Sequence, residues 1–243
     1  MKQRFHIDSF REVGMAAPIT ASKDKKGLIR DYVYETLKKN IMELRLEPGR
    51  QISEKDLVEM LDVSRTPIRE ALVRLTQEEL IETTPQKGSV ISLIDLEHAE
   101  ESRFLRETLE SAIVREACDK LSGENVLHLQ HLVSLQELSA SEENYERLFE
   151  LDEEFHRTII LGCGRVRTWG LIQQVTTHYN RIRYLRLAAN HDWRVILSQH
   201  QDIVQAIKEK DPDAAERVLR EHLKRVVVEK EELVRMHPSY FKV

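Results

Sequence analysis

The sequence predicts a mainly α protein in two parts, an N-terminal winged helix-turn-helix and a C-terminal all-helical bundle of six helices. Three observations carry this. Apolar residues recur at three- and four-residue steps from Leu28 almost to the end. Two short β-prone runs flank Pro85-Gln86-Lys87-Gly88, the signal of one hairpin. The composition, with 8 Gly, 6 Pro and 6% aromatics against 41% hydrophobic and 33% charged residues, suits long amphipathic helices better than a many-turned β protein.

Residues 1–27 carry no period long enough to bury a face and read as a mobile, weakly basic arm. A first domain is expected over residues 28–93. Its first helix is marked by Ile29, Val33, Leu37, Ile41 and Leu44 and should stop before Pro48-Gly49. Ser53, with Asp56 three residues on, caps a short second helix buried by Leu57, Met60 and Leu61. After the break at Asp62-Val63, Ser64 caps a third helix that runs to about Glu79 and buries Ile68, Ala71, Leu72 and Leu75. Pro67 falls in its first turn, where the missing N–H costs nothing. Residues 80–84 and 89–92 form the hairpin. A second domain is expected over residues 96–236, its six helices separated by breaks near 121–123, 140–141, 162–164, 189–191 and 211–212.

Charge and cysteine content limit the function classes. Two cysteines, Cys118 and Cys163, lie in no CxxC pair and make no disulfide scaffold, so a reducing cytoplasm is expected. No run of about 18 uncharged apolar residues is present, so no membrane role is expected. The net charge of -5 argues against a globally basic nucleic-acid binder. Over residues 28–95 there are ten basic residues against thirteen acids, so any DNA-binding charge must be concentrated at Lys55, Arg65, Arg69 and Lys87. In a winged helix-turn-helix the second helix of the pair enters the major groove. Its start here places Arg65 and Arg69 one turn apart on an outward face with Thr66 beside them. Arginine forks suit guanine or phosphate, although a solvated helix face would look the same.

In the second domain, polar residues stand on apolar stripes. Asp152 shares a stripe with Leu148, Phe155 and Ile159, and His156 lies one turn on. His200 stands with Ile196, Ile203 and Ile207, and His222 with Val218 and Val226. Three buried imidazoles and a carboxylate are costly unless satisfied together. One divalent metal would do so, and ordinary hydrogen-bonded core histidines are the alternative. His178, with Leu171, Val175 and Ile182, is a further inward candidate. Arg106, on a stripe with Leu109, Ile113 and Ala117, either anchors an anion or pairs with Glu110 one turn on. Arg181, Arg183 and Arg186 read mostly as a solvated run.

Leu46-Glu47-Pro48-Gly49, Ile52-Ser53-Glu54-Lys55-Asp56-Leu57, the run from Val63 to Leu75, and Gly88 together resemble the GntR-type bacterial transcription regulators. Asp62 stands where that family commonly has glycine. Residues 104–110, 151–156, His200 and His222 resemble the FCD effector domain, in its shorter VanR-like branch; Arg165 stands where the family usually has Asn. The resemblance implies operator contacts by Lys55, Arg65, Thr66 and Arg69, with Lys87 and Gly88 approaching the minor groove. It implies metal ligation by Asp152, His156, His200 and His222, with zinc first and nickel or manganese as alternatives. The expected protein is a cytoplasmic, homodimeric regulator, a repressor rather than an enzyme. It would read a pseudo-palindromic DNA site and respond to a small organic acid near Arg106 and His178. Two rival readings are a metal-dependent enzyme using the His/Asp cluster and a bundle that only dimerises.

Overall fold

The computed structural model describes residues 26–84, 88–189, 193–228 and 230–242. The chain divides into two compact units, Met1–Ile41 with Arg45–Ser92 and Met42–Leu44 with Leu93–Val243. Of the arm expected over residues 1–27, residues 1–25 lie outside the described residues, as does Lys87, and residues 26 and 27 belong instead to the first helix.

In the first unit, helix α1 (Lys26–Met42) buries Val33, Leu37 and Ile41. It ends earlier than its apolar period suggests, because the chain turns left-handed at Leu44 (φ 57°) and the Leu46 N–H closes back on the Asn40 carbonyl at 2.9 Å, which satisfies a terminal acceptor. Helix α2 (Glu54–Leu61) is capped by Ser53, whose hydroxyl accepts from the Asp56 N–H at 3.1 Å. Asp62 then adopts φ 48°, ψ 48°, the left-handed conformation that its usual family counterpart, glycine, takes without strain. Helix α3 (Arg65–Gln77) follows. Ser64 occupies its cap position without a side-chain bond, so the expected cap is positional only. Pro67, Ile68, Ala71, Leu72 and Leu75 form its inner face.

The hairpin is β2 (Ile81–Thr84) and β3 (Gly88–Ile91), antiparallel with Ile81 opposite Ile91 and Thr84 opposite Gly88. Gly88 has φ 91°, which only glycine adopts cheaply, so the strand can leave the tip. A two-residue strand, β1 (Gln51–Ile52), pairs with the other edge of β3 and gives the order β1-β3-β2. The sequence reading missed it, since two residues show no alternation.

In the second unit the six expected segments are all helical, and the one over residues 165–188 is divided: α4 (Leu96–Lys120), α5 (Gly123–Ser141), α6 (Tyr145–Gly162), α7 (Val166–Val175), α8 (Thr177–Ala189), α9 (Arg194–Glu209), then α10 (Pro212–Val228) and α11 (Lys230–Met236) on either side of residue 229, which lies outside the described residues. The α7–α8 break falls in the β-branched run Val175-Thr176-Thr177, where the Ser102 hydroxyl donates to the Val175 carbonyl. It overturns the stripe drawn through Leu171 and His178. Leu171 is 46% exposed, and Ile172, 1% exposed, is the residue that α7 buries. The core is built from Val114, Leu129, Leu151, Phe155, Ile203, Leu219 and their neighbours, with α4 against α10 and α5 against α6 and α9. Phe241 is stitched beside Ile94 by backbone bonds of 2.8 and 3.0 Å, which ties the end of the unit to its start.

Candidate functional site

Arg65, Thr66 and Arg69 are exposed at the start of α3, and Lys55 is exposed on α2. Lys55 lies 3.7 Å from Glu59, a solvent-screened pair. The sequence did not reveal that Glu54 of α2 holds the Arg69 Nε with both carboxylate oxygens, at 3.0 and 2.9 Å. Gly88 is exposed at the described edge of the wing.

The helical unit brings Asp152, His156, His200 and His222 together from α6, α9 and α10. All four are buried, with one ligand-capable atom each within 4.8 Å of the others. For His200 and His156 the hydrogen bonds fix which nitrogen carries the proton. Gln136 of α5 donates through Nε2 to the Leu151 carbonyl at 3.1 Å, and a carbonyl can only accept. The amide oxygen must then face His200 Nδ1, 2.7 Å away, so Nδ1 is the donor and Nε2 is left with a lone pair. That Nε2 is buried with no hydrogen-bond partner and lies 3.5 Å from Asp152 Oδ1. His156 is oriented the same way. Its Nδ1 lies 2.6 Å from Glu110 Oε2, so the Nδ1 N–H donates to the carboxylate and Nε2 faces inward, 3.2 Å from His222 Nε2 and 3.9 Å from Asp152 Oδ2.

The electrostatics match. Burial raises the Glu110 pKa, but Arg106 and His156 outweigh it and hold the group down at about 2. Burial would also raise Asp152; the Arg183 guanidinium overcomes it and keeps the carboxylate well below its usual range. Burial, reinforced by His156 and Arg183, lowers His200 to about 3, and burial with His200 and His156 takes His222 well below its ordinary value. The cluster therefore holds an ionised carboxylate beside two imidazoles, His200 and His222, that burial keeps neutral. Two Nε2 atoms at 3.2 Å need a proton or a cation between them, because bare lone pairs repel. The orphaned His200 Nε2, the inward lone pair of His156 and the anchoring of Nδ1 by Glu110 and Gln136 are the features of a divalent transition-metal site, so the residues fit such an ion.

The remaining expectations fare unevenly. Arg106, 1% exposed, pairs with Glu110 through Nε and lies 3.4 Å from Glu153, so its guanidinium is engaged by carboxylates. His178 lies outside the four-residue cluster; its Nδ1 accepts from the Asp95 N–H at 3.0 Å and from Arg181 at 2.8 Å. The solvated reading of the arginine run is wrong. Arg181, Arg183 and Arg186 are all buried, and Arg183 donates to Asp152, Glu153 and Asn180. Its two carboxylate partners stand 30 and 31 residues earlier, where no local pattern reports them.

Residues 101–225 match the model of the FCD domain, and residues 29–91 match that of bacterial regulatory proteins, gntR family. The chain belongs to the GntR family. This GntR protein is a DNA-binding transcriptional regulator with an FCD domain, in a family of regulators rather than enzymes. It is similar to the HTH-type transcriptional repressor RspR of Escherichia coli (strain K12), 28% identical over 198 residues covering 82% of this chain and 87% of the relative. A regulator from an unstable DNA locus of Streptomyces ambofaciens is 32% identical over 210 residues, covering 86% and 88%. The solved structure of E. coli McbR/YncC shares the fold with a TM-score of 0.75 at 22% identity, covering 86% of this GntR chain and 98% of its own. Among the described residues no helix is long and apolar enough to cross a membrane.

Proposed function

We propose that this protein is a cytoplasmic, homodimeric repressor whose helical unit holds a divalent transition metal through Asp152, His156, His200 and His222, and whose DNA affinity is set by a small organic acid bound there. The observation that carries the metal reading is the inward, unpartnered His200 Nε2, with its tautomer fixed by Gln136. When bound, such an ion supplies positive charge and open positions for a carboxylate. Zinc is the first candidate because three imidazoles and one carboxylate suit it, with nickel and manganese next. Arg106 serves by holding Glu110 on His156, and His178 is too fully engaged elsewhere to be a first choice for effector contact.

DNA recognition rests on Arg65, Thr66 and Arg69 entering the major groove, with Lys55 on phosphate and Lys87-Gly88 near the minor groove. Two such heads read a pseudo-palindromic site. The repressor reading is supported by the described role of RspR. The expected domain roles are an arm over 1–27, a DNA-binding domain over 28–93 and an effector and dimerisation domain over 96–236.

The test has three arms. Metal analysis of purified protein, with thermal shift on adding zinc, nickel or manganese, should reveal a bound ion and a stability gain of about 4 kcal/mol at a thousandfold excess over Kd. No ion and no gain would overturn the metal reading. Gel-shift with a duplex selected from random sequences should lose binding in Arg65→Ala and Arg69→Ala at unchanged helical signal and metal content. A screen of small organic acids on the metal-loaded protein then reads effector control, and no change in DNA affinity with any of them would refute it.

A further inference from the structure

The Asp152 carboxylate divides its two oxygens between different neighbours. Oδ2 accepts from Arg183 Nη2 and lies 3.9 Å from His156 Nε2, while Oδ1 carries no such guanidinium bond and lies 3.5 Å from His200 Nε2. Arg183 comes from α8, which contributes none of the four clustered residues. Its guanidinium is held at other points as well. Nη1 donates to Glu153 and, at 2.7 Å, to Asn180 Oδ1, and the group lies 5.0 Å from the Phe149 ring centre. With its side chain 8% exposed, a guanidinium so anchored is fixed in position. An ion gripped by both oxygens would have to draw Oδ2 away from this buried, charge-assisted bond.

We infer that Arg183 is a positioning residue for the metal site: it retains Oδ2 of Asp152, so that the ion receives only Oδ1, and it thereby sets which ions the site prefers. This rests on the metal reading above. One carboxylate oxygen beside three imidazoles favours ions that bind nitrogen strongly, such as zinc and nickel. A carboxylate free to give both oxygens would shift the preference toward harder, oxygen-seeking manganese. Glu153 keeps Arg106 and Gln173 as partners when Arg183 is replaced, so its charge is not stranded.

The test is calorimetric titration of the full chain with zinc and with manganese, in wild type and in Arg183→Gln. Removing the positive charge strengthens binding of both divalent ions alike, so the ratio of their affinities isolates the effect on Asp152. The zinc-to-manganese preference should fall at least tenfold in Arg183→Gln; an unchanged ratio overturns the role of Arg183 while leaving the metal reading in place. No binding of either ion by the wild type overturns both. A second measurement does not depend on the variant folding. Infrared difference spectra of zinc-loaded against zinc-free wild type, labelled with carboxyl-13C aspartate and blanked with Asp152→Asn, should give the wide splitting of a one-oxygen carboxylate ligand. The narrow splitting of a two-oxygen ligand overturns the inference.

Discussion

Replacing Gln136 by Leu tests the hydrogen-bonded shell behind the imidazoles. Gln136 is fully buried and uses both ends of its amide, donating to the Leu151 carbonyl and accepting from His200 Nδ1. Leucine is of similar size, so the cavity term is small. The Leu151 carbonyl lies inside α6, where the helix also serves it, so its loss is slight. The His200 N–H is left buried without an acceptor, which costs about 1–3 kcal/mol. At roughly 2–4 °C per kcal/mol for a unit of this size, the metal-free protein should melt lower by about 2–12 °C. The imidazole is also free to change tautomer and rotate, so metal affinity should fall about 10–100-fold. Gln136→Glu keeps an acceptor at the same place and should recover most of the affinity. Melting followed by circular dichroism and titration calorimetry read the two effects separately. A destabilised Gln136→Leu protein with wild-type metal affinity would refute the orientation of His200 argued above.

Three further outcomes follow from the geometry. Burial, aided by Arg181 and His98, lowers His178 to about 3 against an ordinary 6.5. The unfolded chain therefore takes up a proton between pH 6.5 and 3 that the folded one refuses, and stability should drop as pH falls through that window, by up to about 1.4 kcal/mol per pH unit. His178→Gln should flatten that acid slope in urea melts by about one proton, and an unchanged slope would contradict the assignment. Asp62→Val places a β-branched residue in the left-handed conformation and should cost the DNA-binding unit about 1–2 kcal/mol in urea unfolding, against no loss if the turn can relax. A Cβ at Gly162 would come within 2.5 Å of Leu121 Cδ2, so Gly162→Ala should destabilise the unit by about 1–3 kcal/mol and melt lower; wild-type melting would mean that Leu121 simply moves.

The four clustered residues were legible because a polar side chain on an apolar stripe is conspicuous at helical spacing, and each of those stripes stays on one unbroken helix. The stripe through His178 failed because the helix breaks at Thr176, which rotates everything before it to a new face. The Arg106–Glu110 pair could be read at i, i+4, whereas its contact with Glu153 could not. Gln136 and Arg183 were out of reach for the same reason: their roles depend on partners 64 and 31 residues away, and neither residue type is unusual on a helix. In the DNA-binding unit, the helices and hairpin announced themselves by caps and turn residues. The strand at Gln51–Ile52 exists only because β3 offers it an edge.

The site draws on α4 for Glu110, α5 for Gln136, α6 for Asp152 and His156, α8 for Arg183, α9 for His200 and α10 for His222. No local stretch can assemble it, so the loops between these positions must all close first. Ion-binding competence therefore arises late in folding and vanishes with any local opening of the bundle. On the metal reading proposed above, an ion taken up there would report that the whole helical unit is native, and free metal would weight the lifetime of the folded protein.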